Sequence, residues 1–137
     1  MAKISYSEEV DMPVEILWHL LLDKTEHPDR TIKEAKQVKI LERYEDGILR
    51  EMTAGGITIR EHIKIDELTK TIRFDLVGNS LFRGYFVNRI DKAKDGKIVL
   101  TYEQDWTPLD DKAKELEGGF YNMMKTAVKE MKRLAEN

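Results

Sequence analysis

Residues Ile57–Ile65 read Ile-Thr-Ile-Arg-Glu-His-Ile-Lys-Ile, a strict alternation that predicts a strand with one apolar face. Ile57, Ile59, Ile63 and Ile65 share that face, and its fifth member is Glu61. A lone carboxylate among four isoleucines faces a cavity, pairs with a buried cation, or sits neutral with a raised pKa. The same period of two recurs along much of the chain. Lys3–Val10 sets Ile4, Tyr6 and Val10 against Lys3, Ser5 and Glu9. Gln37–Tyr44 and Ile48–Thr53 flank Glu45-Asp46-Gly47, a hairpin signal. Ala54-Gly55-Gly56 turns into Ile57–Ile65, and Thr71–Leu76 follows with Ile72, Phe74 and Leu76 on one face. A loop over Val77–Phe82 leads to Gly84–Asp91, and Asp95-Gly96 turns into Lys97–Thr107, where Ile98, Leu100, Tyr102, Gln104 and Trp106 share a side.

Two segments switch to helical spacing. After Asp11 as cap and Pro13 in the first turn, Val14, Leu17, Trp18 and Leu21 recur every three or four residues. This helix is expected to stop near Asp23, because His27-Pro28 disfavours continuation. Asp29–Ala35 reads as a second short helix or an irregular turn. Beyond Pro108, Asp110 or Asp111 caps a long C-terminal helix with a stripe of Leu116, Phe120, Met123, Ala127, Met131 and Leu134, widened by Met124, Val128 and Ala135. Gly118-Gly119 costs about 1 kcal/mol per glycine within a helix. The pair therefore implies a kink, a close approach to the sheet, space left for a ligand, or a helix that begins only after it. The order strand, helix, six strands, helix with hairpin-length links predicts an α+β fold with an antiparallel sheet.

Composition narrows the function classes. A chain of 137 residues, 41% hydrophobic and 36% charged, is expected to form one globular domain spanning 1–137. Its net charge of −3, with Lys and Arg interleaved by Asp and Glu, argues against nucleic acid as a partner. The absence of cysteine excludes disulfides, thiolate metal sites and a cysteine nucleophile. No apolar run approaches the ~20 residues of a membrane span, and no signal-peptide core precedes the first strand, so a cytoplasmic location is expected. His19, His27 and His62 lack metal-ligand spacing, and neither glycine pair has a phosphate-loop pattern. No metal and no cofactor are expected.

The Val14-Glu15-Ile16-Leu17-Trp18-His19-Leu20-Leu21 helix behind Pro13, the Asp23…His27-Pro28 break, six meandering strands and one long final helix resemble the START-like helix-grip superfamily, also called SRPBCC. It holds birch-pollen-allergen, polyketide-cyclase and lipid-transfer proteins. More narrowly, Ile40-Leu41-Glu42-Arg43 with Gly47-Ile48-Leu49-Arg50-Glu51 and Ile59-Arg60-Glu61 is similar to its AtaL-like branch. The resemblance implies a curved seven-stranded antiparallel sheet gripping the C-terminal helix, one or two short helices after the first strand, and an apolar pocket between sheet and final helix.

Polar and aromatic side chains on inward faces are the ligand-binding candidates: Arg50, Glu61, Phe74, Asn88, Tyr102, Gln104, Trp106, Phe120, Met123 and Met124. A filled core plugged by methionines is the plain alternative to a pocket. The leading expectation is binding of a small apolar or aromatic molecule, entering near Ala54–Gly56, Val77–Phe82 or Asp23–Arg30. One alternative is a cyclase or aromatase with Glu61 as acid or base, helped by Tyr102 or Gln104. Against it stands a purely structural pairing of Glu61 with a cation such as Arg50. Another alternative is a co-chaperone-like module acting through its outer surface. Exposed strands leave a homodimer open.

Overall fold

The computed structural model describes residues 3–137. In chain order the elements are β1 (Ile4–Val10), α1 (Val14–Glu26), β2 (Ala35–Tyr44), β3 (Gly47–Ala54), β4 (Ile57–Asp66), β5 (Thr71–Leu76), β6 (Phe82–Lys92), β7 (Ile98–Pro108), α2 (Asp111–Leu116) and α3 (Phe120–Glu136). All seven strands join one curved antiparallel sheet in the order β1-β7-β6-β5-β4-β3-β2. Strands β2 to β7 are successive hairpins, whereas β1 and β2 lie on opposite edges. The segment joining them must therefore cross a face of the sheet, and α1 is that crossing. Helix α3 covers the β1 side, touching β7 and α1. Among the described residues no helix is long and apolar enough to cross a membrane.

The inner face follows the alternation read from sequence. Ile48, Ile63, Ile72, Phe74, Ile90, Leu100 and Tyr102 are buried with Leu17, Trp18 and Leu21 of α1 and Met124, Val128, Met131 and Ala135 of α3. Fully burying an apolar side chain of this size contributes about 1.5–3 kcal/mol, so this cluster dominates the stability of the fold.

Three local expectations are corrected, and at Gly118-Gly119 the alternative of a helix beginning after the pair is the one found for α3. Helix α1 runs to Glu26, one turn beyond Asp23. Pro28 restricts only the residue before it, so His27 leaves the helical region while its N–H still closes the last turn on the Asp23 carbonyl at 2.7 Å. Asp11 does not cap α1: the N-cap residue is Pro13, and the Asp11 N–H donates to Glu136 Oε2 at 2.8 Å, tying the start of α1 to the end of α3. The C-terminal helix is interrupted, because Glu117–Gly119 forms a 3₁₀ turn between α2 and α3. Asp110 is the cap of α2, its Oδ1 accepting from the Ala113 N–H at 2.8 Å. The buried stripe of α3 is also rotated: Met124, Val128, Met131 and Ala135 face the sheet, and Met123 is 66% exposed. Both phases satisfy three- and four-residue spacing, and the break at Gly118–Gly119 resets which one meets the sheet.

Close strand approach explains one glycine beyond the turns. Gly84 on β6 has φ +136°, and a Cβ there would lie 1.9 Å from the Asp105 carbonyl oxygen of β7. Gly84→Ala is expected to cost more than ~2 kcal/mol through combined strain and clash. Urea denaturation checks this, and an unchanged midpoint would refute it.

Candidate functional site

A group of polar side chains lies inside the apolar core, where the last turn of α1 meets the middle of the sheet. Arg50 on β3 and Glu61 on β4 stand opposite each other in register. Both are buried, and Arg50 Nη2 donates to Glu61 Oε1 at 2.6 Å. The other terminal nitrogen, Nη1, donates to the Thr25 carbonyl at 2.9 Å. That carbonyl is one of those a helix leaves without an internal partner, so the guanidinium caps α1 from the sheet. Thr25 is itself fully buried, its hydroxyl donating back to the Leu21 carbonyl at 2.9 Å.

Lys24 enters from the same turn. It is only 6% exposed, and its ammonium donates to Asn88 Oδ1 on β6, with the Tyr102 hydroxyl of β7 at 3.5 Å. Asn88 and Tyr102 are cross-strand neighbours. Around the Lys24 nitrogen stand the rings of Tyr102, Phe74 and Phe86, with centroids at 4.7, 5.2 and 5.8 Å. The Arg50 guanidinium lies 5.5 Å from the same Phe74 ring, so the two cations share one aromatic wall. Burial drives the Lys24 pKa from 10.5 down to about 7; the nearby Arg50 charge lowers it further and Glu61 opposes. Burial also raises the Tyr102 phenol, which keeps it a neutral hydrogen-bonding group at physiological pH.

Of the ten residues singled out from sequence, five converge here: Arg50, Glu61, Phe74, Asn88 and Tyr102. Their polar partners, Lys24 and Thr25, come from the end of α1, while Met124, Val128 and Met131 of α3 share the apolar core with Phe74 and Tyr102. Trp106 and Phe120 belong to a separate aromatic cluster with Phe82, with ring centroids 5.3, 5.3 and 5.6 Å apart. Gln104 is half-buried and pairs across to Phe86. Met124 lies in the core with α3, and Met123 faces outward. Lys24 and Thr25 were not anticipated. Helical spacing carried the signal, since Leu17, Trp18 and Leu21 continue to positions 24 and 25 on the same face.

Surface hollows among the described residues include the following two. One, of about 570 Å³, lies between the end of α1 and β2, with Glu26, His27, Ala35, Ile40 and Arg43 in its lining. This hollow lies on the Asp23–Arg30 side, and none of the buried cluster residues is in its lining. The other, of about 480 Å³, lies beside Thr107–Asp111 and Lys114. Two further polar atoms matter for chemistry. Arg50 Nε and Asn88 Nδ2 are buried donors without a hydrogen-bond partner.

A curved antiparallel sheet crossed by α1 and gripped by a C-terminal helix, with a buried polar cluster beneath, defines a START-like helix-grip protein. The chain belongs to the AtaL family, described as acetylaranotin biosynthesis cluster protein L, which matches residues 6–136. No curated protein matches it in sequence. Among solved structures it is similar to the ZhuI aromatase/cyclase from Streptomyces sp. R1128, with a TM-score of 0.77 and 16% identity over 98% of this chain and 93% of that one. A protein from Thermus thermophilus is equally similar in fold, with a TM-score of 0.77 and 13% identity over 96% and 95%. The di-domain ARO/CYC BexL from the BE-7585A biosynthetic pathway gives a TM-score of 0.75 at 13% identity, over 97% of this chain and 46% of BexL. At these identities the likeness establishes the fold.

Proposed function

We propose that residues 1–137 act as one small-molecule-binding domain, taking an apolar or aromatic compound whose polar end meets the Lys24–Arg50–Asn88 cluster. The supporting observation is that this buried polar cluster holds two unpartnered donors, Arg50 Nε and Asn88 Nδ2, beside the aromatic rings of Phe74, Phe86 and Tyr102. A buried donor without a partner costs about 1–3 kcal/mol, a cost that a bound acceptor removes. The hollow beside Glu26 and Arg43, at the Asp23–Arg30 segment, is the entrance this reading assigns. Native mass spectrometry of protein purified from its own cells tests for a retained compound. In a thermal-shift panel of lipids, flavonoids and polyketide-like aromatics, a ligand at 100 times its Kd adds about 2.7 kcal/mol of stability. Asn88→Leu, which keeps the branched shape and the number of side-chain heavy atoms, is expected to stay folded and lose that shift. Absence of any retained compound together with no shift across the panel would reject the proposal.

A second reading, ring closure or aromatisation of a polyketone, draws on the named activities of ZhuI and BexL. In that reading Arg50 polarises a carbonyl. Glu61 Oε1 is held by Arg50, which leaves Oε2 as its oxygen for proton transfer. Lys24, with a pKa near 7, is the better-placed base for removing a proton beside a carbonyl. Turnover of a polyketone by the wild type, with kcat lost in Lys24→Met at saturating substrate, distinguishes an enzyme from a carrier.

A further inference from the structure

The balance of charge and of hydrogen-bonding groups inside the core specifies more about the ligand than its apolarity. The interior brings together two cationic side chains, Lys24 and Arg50, and one carboxylate, Glu61. Glu61 is already committed to Arg50 through a 2.6 Å ion pair. Lys24 is left to neutral acceptors, Asn88 Oδ1 and the Tyr102 hydroxyl. The Lys24 bond also fixes the orientation of the Asn88 amide: its oxygen faces the ammonium, so Nδ2 is the unpartnered end. Both unpartnered atoms of the cluster, Arg50 Nε and Asn88 Nδ2, are therefore donors. Asn88 is fully buried and Arg50 is 3% exposed, so bulk water does not serve either of them. The two unpartnered donors and an amine that can take up a proton beside an already balanced ion pair point the same way.

Resting on the binding function proposed above, we infer that the ligand of this interior is an acid: an apolar or aromatic body carrying a carboxylate, or an equivalent enolate or phenolate oxygen. Its oxygens accept from Arg50 Nε and Asn88 Nδ2, and its charge offsets that of Lys24. A neutral hydrocarbon or sterol leaves both donors without an acceptor. A cationic ligand meets donors where it needs acceptors and lies beside the Arg50 charge. Glu61 and Arg50 are the charged groups that act on Lys24 from the neighbouring strands, and Tyr102 and Asn88 complete its polar surroundings. Because Lys24 is held near neutrality in the empty site, an arriving anion draws a proton onto it. Binding at pH 8 is thus accompanied by proton uptake, which a neutral ligand does not cause.

Isothermal titration calorimetry with matched pairs tests this. The probes are 2-naphthoic, anthracene-2-carboxylic and decanoic acids, each beside its primary amide, in two pH 8 buffers of different ionisation enthalpy. At least one acid is expected to bind tenfold or more tightly than its amide, with uptake approaching one proton. Lys24→Met is expected to shrink that preference at least threefold and abolish the uptake. If the amides bind as well as the acids, the acidic ligand class is overturned while a small-molecule site stands. If no member of any pair binds, both readings fall. Tight acid binding without proton uptake overturns the role of Lys24, and preserved discrimination in Lys24→Met does the same.

Discussion

Arg50→Met is expected to destabilise the protein by about 3–5 kcal/mol, the cost of leaving a buried carboxylate without its cation. Wild-type Arg50 Nη2 holds Glu61 at 2.6 Å and Nη1 holds the last-turn carbonyl of Thr25 at 2.9 Å, so the variant orphans an acceptor in β4 and another at the end of α1. Domains of this size have about 5–15 kcal/mol of total stability, so the change consumes a large share of it. A fall in Tm of roughly 10–20 °C is the corresponding signal. The double variant Arg50→Met/Glu61→Leu removes both charges and is expected to recover more than half of the loss, because the penalty comes from the unpaired ion. Urea denaturation of wild type, both single variants and the double variant closes the cycle. A loss below ~1 kcal/mol in Arg50→Met would show that Glu61 is satisfied without it.

The same pair shows how far the sequence could be read. Glu61 in an isoleucine row announced itself by parity alone, and one of its three predicted fates, pairing with a buried cation, is what the structure contains. Arg50 was reachable because Ile48 and Met52 fix its parity in β3 and the Ala54-Gly55-Gly56 turn fixes the register of β4, which carries Glu61. Strand faces are legible in this way because their period is two and an error of one residue exposes every apolar side chain. Helix phases are not constrained so tightly. Met123 and Met124 are adjacent, apolar and compatible with the same spacing, and only the 3₁₀ turn at Glu117–Gly119 decides between them. Helix ends are harder still. Stopping α1 at Asp23 removed Lys24 and Thr25 from view, although the buried row of Leu17, Trp18 and Leu21 points straight at them. A lysine at the end of a helix is ordinarily solvated and favourable to the helix dipole, which hides a buried one from any composition-based reading. Its burial depends on α1 being the crossing between opposite sheet edges, a property of topology.

Lys24→Met is expected to change how stability depends on pH, with a sign set by the direction of the lysine's shift. The folded state holds this ammonium with a pKa of about 7 against 10.5 for the free group, so between those values the unfolded chain binds one proton more. Stability contributed through Lys24 therefore rises with pH across that window, by up to ~1.4 kcal/mol per unit and ~5 kcal/mol in all. Below pH 7 both states are protonated and the contribution is flat at its least favourable value. The measurable quantity is the unfolding free energy of wild type minus that of Lys24→Met at pH 7, 8 and 9, because titrations common to both proteins cancel. That difference should climb by about 1 kcal/mol or more from pH 7.5 to 8.5. A difference that stays constant would place the charged lysine in a solvated position. A climb, together with proton uptake on acid binding, ties one observation to both stability and function: an amine kept close to neutral by its burial is costly to the folded protein at pH 7. The proposed acidic ligand offsets that cost, so the empty protein gains more from raised pH than the ligand-saturated one.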